Sequence, residues 1–537
     1  MKHLFIPFLL IGTACAQSPV RNMTTVPSVS TYQPPTFADA NRLEKLKAAF
    51  PIVEKVYRDR SEKFHYPGLA FGVVLDGKLV YSGGMGYADV AKKTPATPKT
   101  LFRIASMTKS LTAMAILKLR DEGKLRLDDP AEQYIPELKT HKYLTADAPR
   151  ITVRNLMTHS AGFPEDNPWG DRQLADSDAE LLSLIKGGIT NANVPGFAYE
   201  YSNLGFAMLG RIITVVSGKA YQQYITDAIL KPLGMNDTQW EYTKVPAEKL
   251  ALGYRWQDDG RDAAPRNAAP PASRNWLEEP LLHDGSYGAM GGLITSIEDF
   301  SKYVALHQAA WPPRSDADGS SSQPVKRSSV REMQQPWTFA GLNAQAKNSA
   351  GQLCPVTSGY GYGLGWSQNC TGRVTVGHSG GLPGFGSQWR ILPDYGIGVI
   401  AYGNLTYAGL GSVNSAVLDT LVSIGKLQPR QLPVSSILAQ RKAELMRLLP
   451  DWTNAEKSGL FAENFFPDQP VAMRRRAIQE LYAKAGKIQR VGELVPENQL
   501  RGHFVMEGER TNIDVFFTLT PENPALIQQL DFRELPH

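Results

Sequence analysis

The stretch RIASMTKSLTAMAILKLRDEG, residues 103–123, decides how the rest of the chain is read. From Ser106 to Arg120 the apolar residues Leu111, Met114, Ala115 and Leu119 fall on one stripe. That is the pattern of an amphipathic helix with a buried face, and Gly123 supplies its end. Ser106 and Lys109 stand three apart at the start of this helix, so their side chains share a face and can touch. A serine hydroxyl is a weak nucleophile without a base. A lysine becomes that base only when burial or neighbouring positive charge brings its pKa towards about 7 to 8. The amino end of the helix adds a field that favours a developing oxyanion. Ser-x-x-Lys alone is too common to carry a function.

Two further stretches change the weighing. In Tyr201-Ser202-Asn203 a phenol beside a cation can relay protons, and an amide can hydrogen-bond both the lysine and a substrate carbonyl. In His378-Ser379-Gly380-Gly381, expected at the end of a strand over Arg373 to Gly377, two glycines let a ligand backbone lie close. The Gly381 amide, with that of Ser106, then offers two donors to a tetrahedral intermediate. Losing one such donor costs about 3 kcal/mol of barrier.

The ordered triple S-x-x-K, Y-x-N, H-x-G resembles the serine β-lactamase-related superfamily, in its class C, D-alanyl-D-alanine carboxypeptidase and family VIII esterase branch. Supporting stretches resemble it too: Leu101 to Ala105, Thr152 to Gly162, and Tyr199 to Gly205. The similarity runs from about Leu43 to Gly425. It implies Ser106 as the acylated nucleophile, Lys109 and Tyr201 as proton-transfer partners, and Asn203 as ligand of substrate and lysine. The Gly381 amide falls in the oxyanion hole, with His378, Ser379 and Gly380 beside the substrate. Whether Lys109 or Tyr201 takes the serine proton stays open, because two coupled groups share the titration. Where class C β-lactamases carry K-T-G this chain has His378-Ser379-Gly380, and a histidine of pKa near ~6.5 is mostly neutral at pH 7. The departure weakens attraction for a β-lactam carboxylate unless another cation substitutes, and favours an ester or D-amino-acid peptide.

The implied fold is α+β: a β-lactamase/transpeptidase-like antiparallel sheet flanked by helices, a helical subdomain, and a small C-terminal α+β domain. Local patterns fit. Leu43, Leu46, Phe50, Val53 and Val56 recur at helical spacing, with a restart at Pro51. Apolar runs flank Asp76-Gly77, a two-residue hairpin signal. Helices are expected over Thr152 to His159, Leu204 to Val216, Ser296 to His307 and Ser412 to Ile424. The Ser296/Asp299 pair resembles a capping box. Strands are expected over Trp389 to Leu392 and Ile397 to Tyr402, so distant segments close one sheet. Segments 263–274 and 312–323, rich in Pro, Ala, Ser and Gly, read as exposed insertions. Beyond Pro433 a helical stretch ends at Gly486 and strand-like runs follow at 487–495, 500–506 and 512–520.

At 537 residues and 42% apolar composition the chain suits two globular domains. Residues 1–16 read as a signal peptide, with Lys2, an apolar run from Leu4 to Ile11, and Ala14-Cys15-Ala16 before Gln17. A periplasmic or extracellular enzyme is therefore expected. Acylation of Cys15 is the alternative, disfavoured because Gly12 stands where a lipoprotein needs a large aliphatic residue. Residues 17–36 read as a flexible leader, 37–430 as the hydrolase domain and 431–537 as the small domain. After cleavage no stretch reaches the ~18 apolar residues of a spanning helix. Cys354 and Cys370 remain, either as a disulfide worth about 3 kcal/mol or as two buried thiols. A net charge of +5 with interspersed signs gives no case for nucleic acid, and Arg474-Arg475-Arg476 reads as a solvated helix face. There is no H-x-H-x-D or other zinc spacing, so neither metal nor cofactor is expected. The partner is a small-molecule ester, peptide or β-lactam; oligomeric state is not legible. The competing reading is a penicillin-binding or sensor protein that is acylated without turnover.

Overall fold

Asp76 and Gly77 both adopt positive φ, 50° and 78°, as a two-residue hairpin turn requires. They join β1 (Gly68–Leu75) to β2 (Lys78–Asp89). The computed structural model describes residues 32–536 apart from 168, 258–274, 315–322 and 349. The expected signal peptide, the leader up to residue 31, the insertion 263–274 and all but the ends of 312–323 lie outside the described residues.

Two compact units divide the chain after Pro433. In the larger one, α1 (Arg42–Lys47) gives way to α2 (Phe50–Lys63), with Pro51 in the first turn of α2 where its missing N–H costs nothing. Short strands β3 (Thr94–Pro95) and β4 (Phe102–Arg103) precede α3 (Thr108–Asp121). A helical region follows: α4 (Val153–Met157), α5 (Asp178–Gly187), α6 (Asn203–Ser217) and α7 (Tyr221–Ile225). Then come β5 (Tyr254–Trp256), β6 (Trp276–Glu278), α8 (Gly288–Gly291), β7 (Ile294–Thr295), α9 (Ile297–Ala309) and α10 (Arg327–Met333). The remaining strands are β8 (Thr338–Asn343), β9 (Val356–Tyr360), β10 (Gly365–Asn369), β11 (Val374–Leu382), β12 (Phe385–Leu392) and β13 (Ile397–Gly403), closed by α11 (Gly411–Ile424).

Nine of these strands form one antiparallel sheet, ordered β3-β2-β1-β13-β12-β11-β10-β9-β8. β1 is buried along its whole length because both faces are covered. Ala70 and Val74 join the core under α3, α6 and α9, while Leu69, Phe71, Val73 and Leu75 join the one under α1, α2 and α11. A disulfide between Cys354 and Cys370 ties the open end of the β9–β10 hairpin.

Three local expectations are corrected. Ser106 lies in a 3₁₀ turn, Ala105–Met107, that precedes α3. α3 itself is buried nearly all round, from Thr108 through Leu117 and again at Leu119, because α6, α7, α8 and α10 pack around it. The strand expected to end at Gly377 runs on to Leu382, so His378 to Gly381 lie within β11, held by β12 through Leu382↔Phe385. At α9, Ser296 caps the N–H of Asp299, but the Asp299 carboxylate accepts instead from Asp237 N and Thr238 Oγ1, so the box is half formed.

The smaller unit runs from Val434. It holds α12 (Ser436–Leu448), α13 (Phe465–Asp468) and α14 (Val471–Ala485), then β14 (Ile488–Val491), β15 (Val495–Asn498), β16 (Arg501–Gly508), β17 (Asn512–Leu519) and β18 (Ile527–Leu535). β16 and β17 alternate buried and half-buried residues, one face packing on a core that includes Leu438, Leu445, Trp452 and Phe517. The run expected as one strand over 487–495 is two, both paired with β16. β18 escaped the sequence reading because its polar, mostly exposed residues show no period of two.

Candidate active site

Ile104 enters the turn with its N–H on Leu293 O (3.0 Å) and its carbonyl accepting from Ser387 Oγ (2.6 Å). Ala105 follows at φ 49°, a left-handed conformation that costs a non-glycine residue about 1–2 kcal/mol. This strained turn sets Ser106, only 8% exposed, against Lys109. The Lys109 Nζ lies 3.0 Å from Ser106 Oγ, 2.7 Å from Asn203 Oδ1 and 3.0 Å from Met290 O. It is fully buried. Burial brings its pKa down to about 7, opposed by the nearby carboxylates of Asp166 and Asp171. Two of its three partners can only accept. A neutral amine has two hydrogens and one lone pair, so it donates to Asn203 and Met290 and turns the lone pair on the Ser106 hydroxyl.

Asn203 opens α6, where the Ser202 hydroxyl caps Gly205 N. The Asp166 carboxylate accepts from Leu204 N and Ser202 Oγ (3.0 and 3.1 Å) and from Asn203 N, placing negative charge at the positive helix end. Burial raises the Asp166 pKa against those donors. The Asn203 Nδ2 donates to Trp169 O (2.9 Å) and Asp166 O (3.4 Å). Its amide is thus committed within the protein at both ends, whereas the sequence reading gave one end to substrate. Tyr201 is half-buried, its ring centroid 4.8 Å from Lys109 Nζ. Burial holds its pKa well above 10, only partly offset by a hydrogen bond with Ser106, so it is a phenol and not a phenolate. His159 Nδ1 accepts from Ser202 N (3.0 Å) and packs on Tyr201, Tyr360 and Phe206.

β11 forms the opposite wall. β10 pairs with it only from Val374 to Gly377, so His378 to Leu382 have β12 on one side and the cleft on the other. His378 Nδ1 donates to Ser379 O, and Nε2 accepts from Tyr360 Oη (2.8 Å). Both ring nitrogens are used, and the side chain expected to meet substrate has none left for it. Burial first and Lys109 second push its pKa down to about 3. Ser379, Gly380 and Gly381 do line the cleft, with Ser106 and Tyr201, in a cavity of about 600 Å³. Gly380 permits the close approach, since a Cβ there would lie 2.3 Å from Ile104 O.

Sequence reasoning missed Asp166, Asp171, Met290, Tyr360 and Tyr407. Tyr407, at φ 52°, lies over Gly381 and donates to Asp171 Oδ2 (2.8 Å). Asp171 is 2% exposed, and burial raises its pKa to about 6.

A model of the Beta-lactamase family matches residues 53–421. Protein flp of Staphylococcus aureus (strain N315) is 27% identical over 399 residues, 73% of this chain and 69% of that protein. Unguisins hydrolase ungD' of Aspergillus campestris is 25% identical over 365 residues, 66% of this chain and 61% of that protein. Two solved structures, each 22% identical, share the fold. The octameric penicillin-binding protein homologue from Pyrococcus abyssi aligns with TM-score 0.53, covering 91% of this chain and 96% of that one. The penicillin binding protein from Bacillus halodurans aligns with TM-score 0.52, covering 68% and 98%.

Proposed function

The chain belongs to the Beta-lactamase family, and from that premise we propose that it is a serine hydrolase working through an acyl-enzyme on Ser106. The observation that carries the reading is the buried Lys109 amine, whose two other partners are obligate acceptors, so that its lone pair is left for Ser106 Oγ. In this mechanism Lys109 takes the Ser106 proton as Oγ attacks the substrate carbonyl. The Ser106 and Gly381 amides receive the oxyanion. The proton passes through the Tyr201 hydroxyl to the leaving group as the tetrahedral species collapses. Water then repeats the sequence on the acyl-enzyme, giving the acid and free Ser106. A neutral His378 supplies no charge for a β-lactam carboxylate, which supports an ester or D-amino-acid peptide as substrate.

The test is a panel of 4-nitrophenyl butyrate, D-alanyl peptides and nitrocefin run on the wild type and Ser106→Ala. Ester or peptide turnover is expected to fall at least about thousandfold in the variant. Full-rate cleavage by Ser106→Ala overturns the reading. Stoichiometric fluorophosphonate labelling with no turnover of any substrate would instead favour a sensor. On the same reading the enzyme acts outside the cytoplasm, motivated by the signal-like residues 1–16; a mature protein starting at any residue other than Gln17 counts against cleavage there.

A further inference from the structure

On β12, Gln388 stands opposite Ser379 and Arg390 opposite Gly377, so alternation puts these residues on one face of the sheet. His378, opposite Trp389, belongs to the other. The cavity that contains Ser106 extends onto the first face, where Ser367, Thr375, Gly377, Gln388 and Arg390 line it. Glycine and small hydroxyl side chains leave room there, and the one fixed charge among these residues is a guanidinium.

That guanidinium is poorly compensated. Its Nη1 donates to Ser415 Oγ. In the amide orientation that satisfies Gln388, Nε and Nη2 donate to Gln388 Oε1 (3.1 and 3.2 Å) and the Gln388 nitrogen donates to Leu410 O (3.2 Å). All these acceptors are neutral. Among the described residues no carboxylate forms an ion pair with Arg390, and burial lowers its pKa with no charge opposing. One hydrogen on each terminal nitrogen is left over. The charge also sits at the wrong end of a helix. Ser415 is in the first turns of α11, and a Cβ on Gly411 would lie 3.9 Å from Arg390 Nη2. No side chain caps α11 at Leu410. The helix dipole therefore adds positive potential at this cation, where a basic side chain is stabilised only at a carboxyl end. A half-buried cation in a positive field is costly unless an anion arrives.

We propose that Arg390, with the amino end of α11 behind it, binds an oxyanion group, a carboxylate or phosphate, carried by the substrate at a distance from its scissile bond. The inference rests on the hydrolase reading for the word substrate, while the anion site itself does not. It restores, on a different strand and face, the fixed charge that His378 lacks.

The test compares 4-nitrophenyl hydrogen succinate, adipate and suberate with their methyl-capped neutral esters. At one chain length the wild type is expected to show a KM at least about tenfold lower for the free acid, the scale of a charge-assisted hydrogen bond. Arg390→Gln brings that ratio to about one. The wild-type ratio needs no variant: a ratio near one at every length, or a preference that persists in a folded Arg390→Gln, overturns the proposal. Calorimetric titration of Ser106→Ala with suberate and with inorganic phosphate separates the two readings, since it needs no turnover. Binding of either anion that Arg390→Gln abolishes supports the site and identifies the oxyanion, even if no ester is cleaved. Binding of neither overturns it.

Discussion

In the proposed mechanism Lys109 is the base, and its burial gives a pH signature. With a pKa near 7, the neutral amine grows as pH rises through 7, so kcat/KM is expected to climb about tenfold per unit below that point and level off above it. His378, at about 3, adds no limb between pH 5 and 9. A flat profile from pH 5 to 8 would argue against Lys109 as base. The stability counterpart has a definite sign. The folded pKa lies below the unfolded value of about 10.4, so between those values the unfolded chain binds more protons and unfolding free energy rises with pH. Lys109→Met is expected to flatten that rise in denaturant titrations at pH 7 and 10. Ser106 and Lys109 were legible because residues three apart meet on one face whether the turn between them is 3₁₀ or α. Asp166, Asp171 and Met290 were not. The two carboxylates act on the lysine through their charge from loops and Met290 through its carbonyl from a four-residue helix, where no periodicity announces a group's direction. For His378 and Asn203 the sequence named the right neighbourhood, but only packing shows that their polar atoms already have protein partners.

At the scale of elements, the contact between β11 and the turn at Ala105–Met107 sets the position of Ser106, the proposed nucleophile. Gly380→Ala would put a methyl 2.3 Å from Ile104 O and 3.0 Å from the Ala105 Cβ. It is expected to cost about 1–3 kcal/mol of stability and about a hundredfold in kcat, since small displacements of a nucleophile are expensive. Gly187→Ala is the control. It has open space around it and no positive φ, and its melting temperature is expected to be unchanged or slightly higher. Equal behaviour of the two variants would refute the steric argument. The Cys354–Cys370 bridge spans 16 residues at the β9–β10 hairpin. Reduction should lower stability by up to about 3 kcal/mol with little effect on turnover, readable as a shift in denaturation midpoint. The hairpin at Asp76-Gly77 and the helices over α6 and α9 could be read from turn chemistry and periodicity. The full length of β11 could not, because glycines at 377, 380 and 381 look like a strand's end until β12 is seen to hold them.

For the whole molecule, the two compact units have separate cores. Leu438, Trp452 and Phe517 pack in one, and Ala70, Phe102 and Trp389 in the other. Calorimetry is therefore expected to resolve two transitions. A fluorophosphonate adduct on Ser106 should raise only the one belonging to residues 34–433, and a single transition that moves as a whole would contradict this. The larger unit has one more property, visible in the Gly68 N–H that donates to Asn404 Oδ1 across 336 residues of sequence. The same seam sets β1 beside β13, so β1 waits for the strand of its sheet that is made last. Until residue 403 has been made, an apolar strand edge stands open with no native neighbour. Loop closure on that scale is slow, and such edges invite foreign strands. Its yield in the cell is therefore expected to depend on translation speed and on holdase supply more than on the stability of the finished fold, which soluble yield measured with and without added holdase checks.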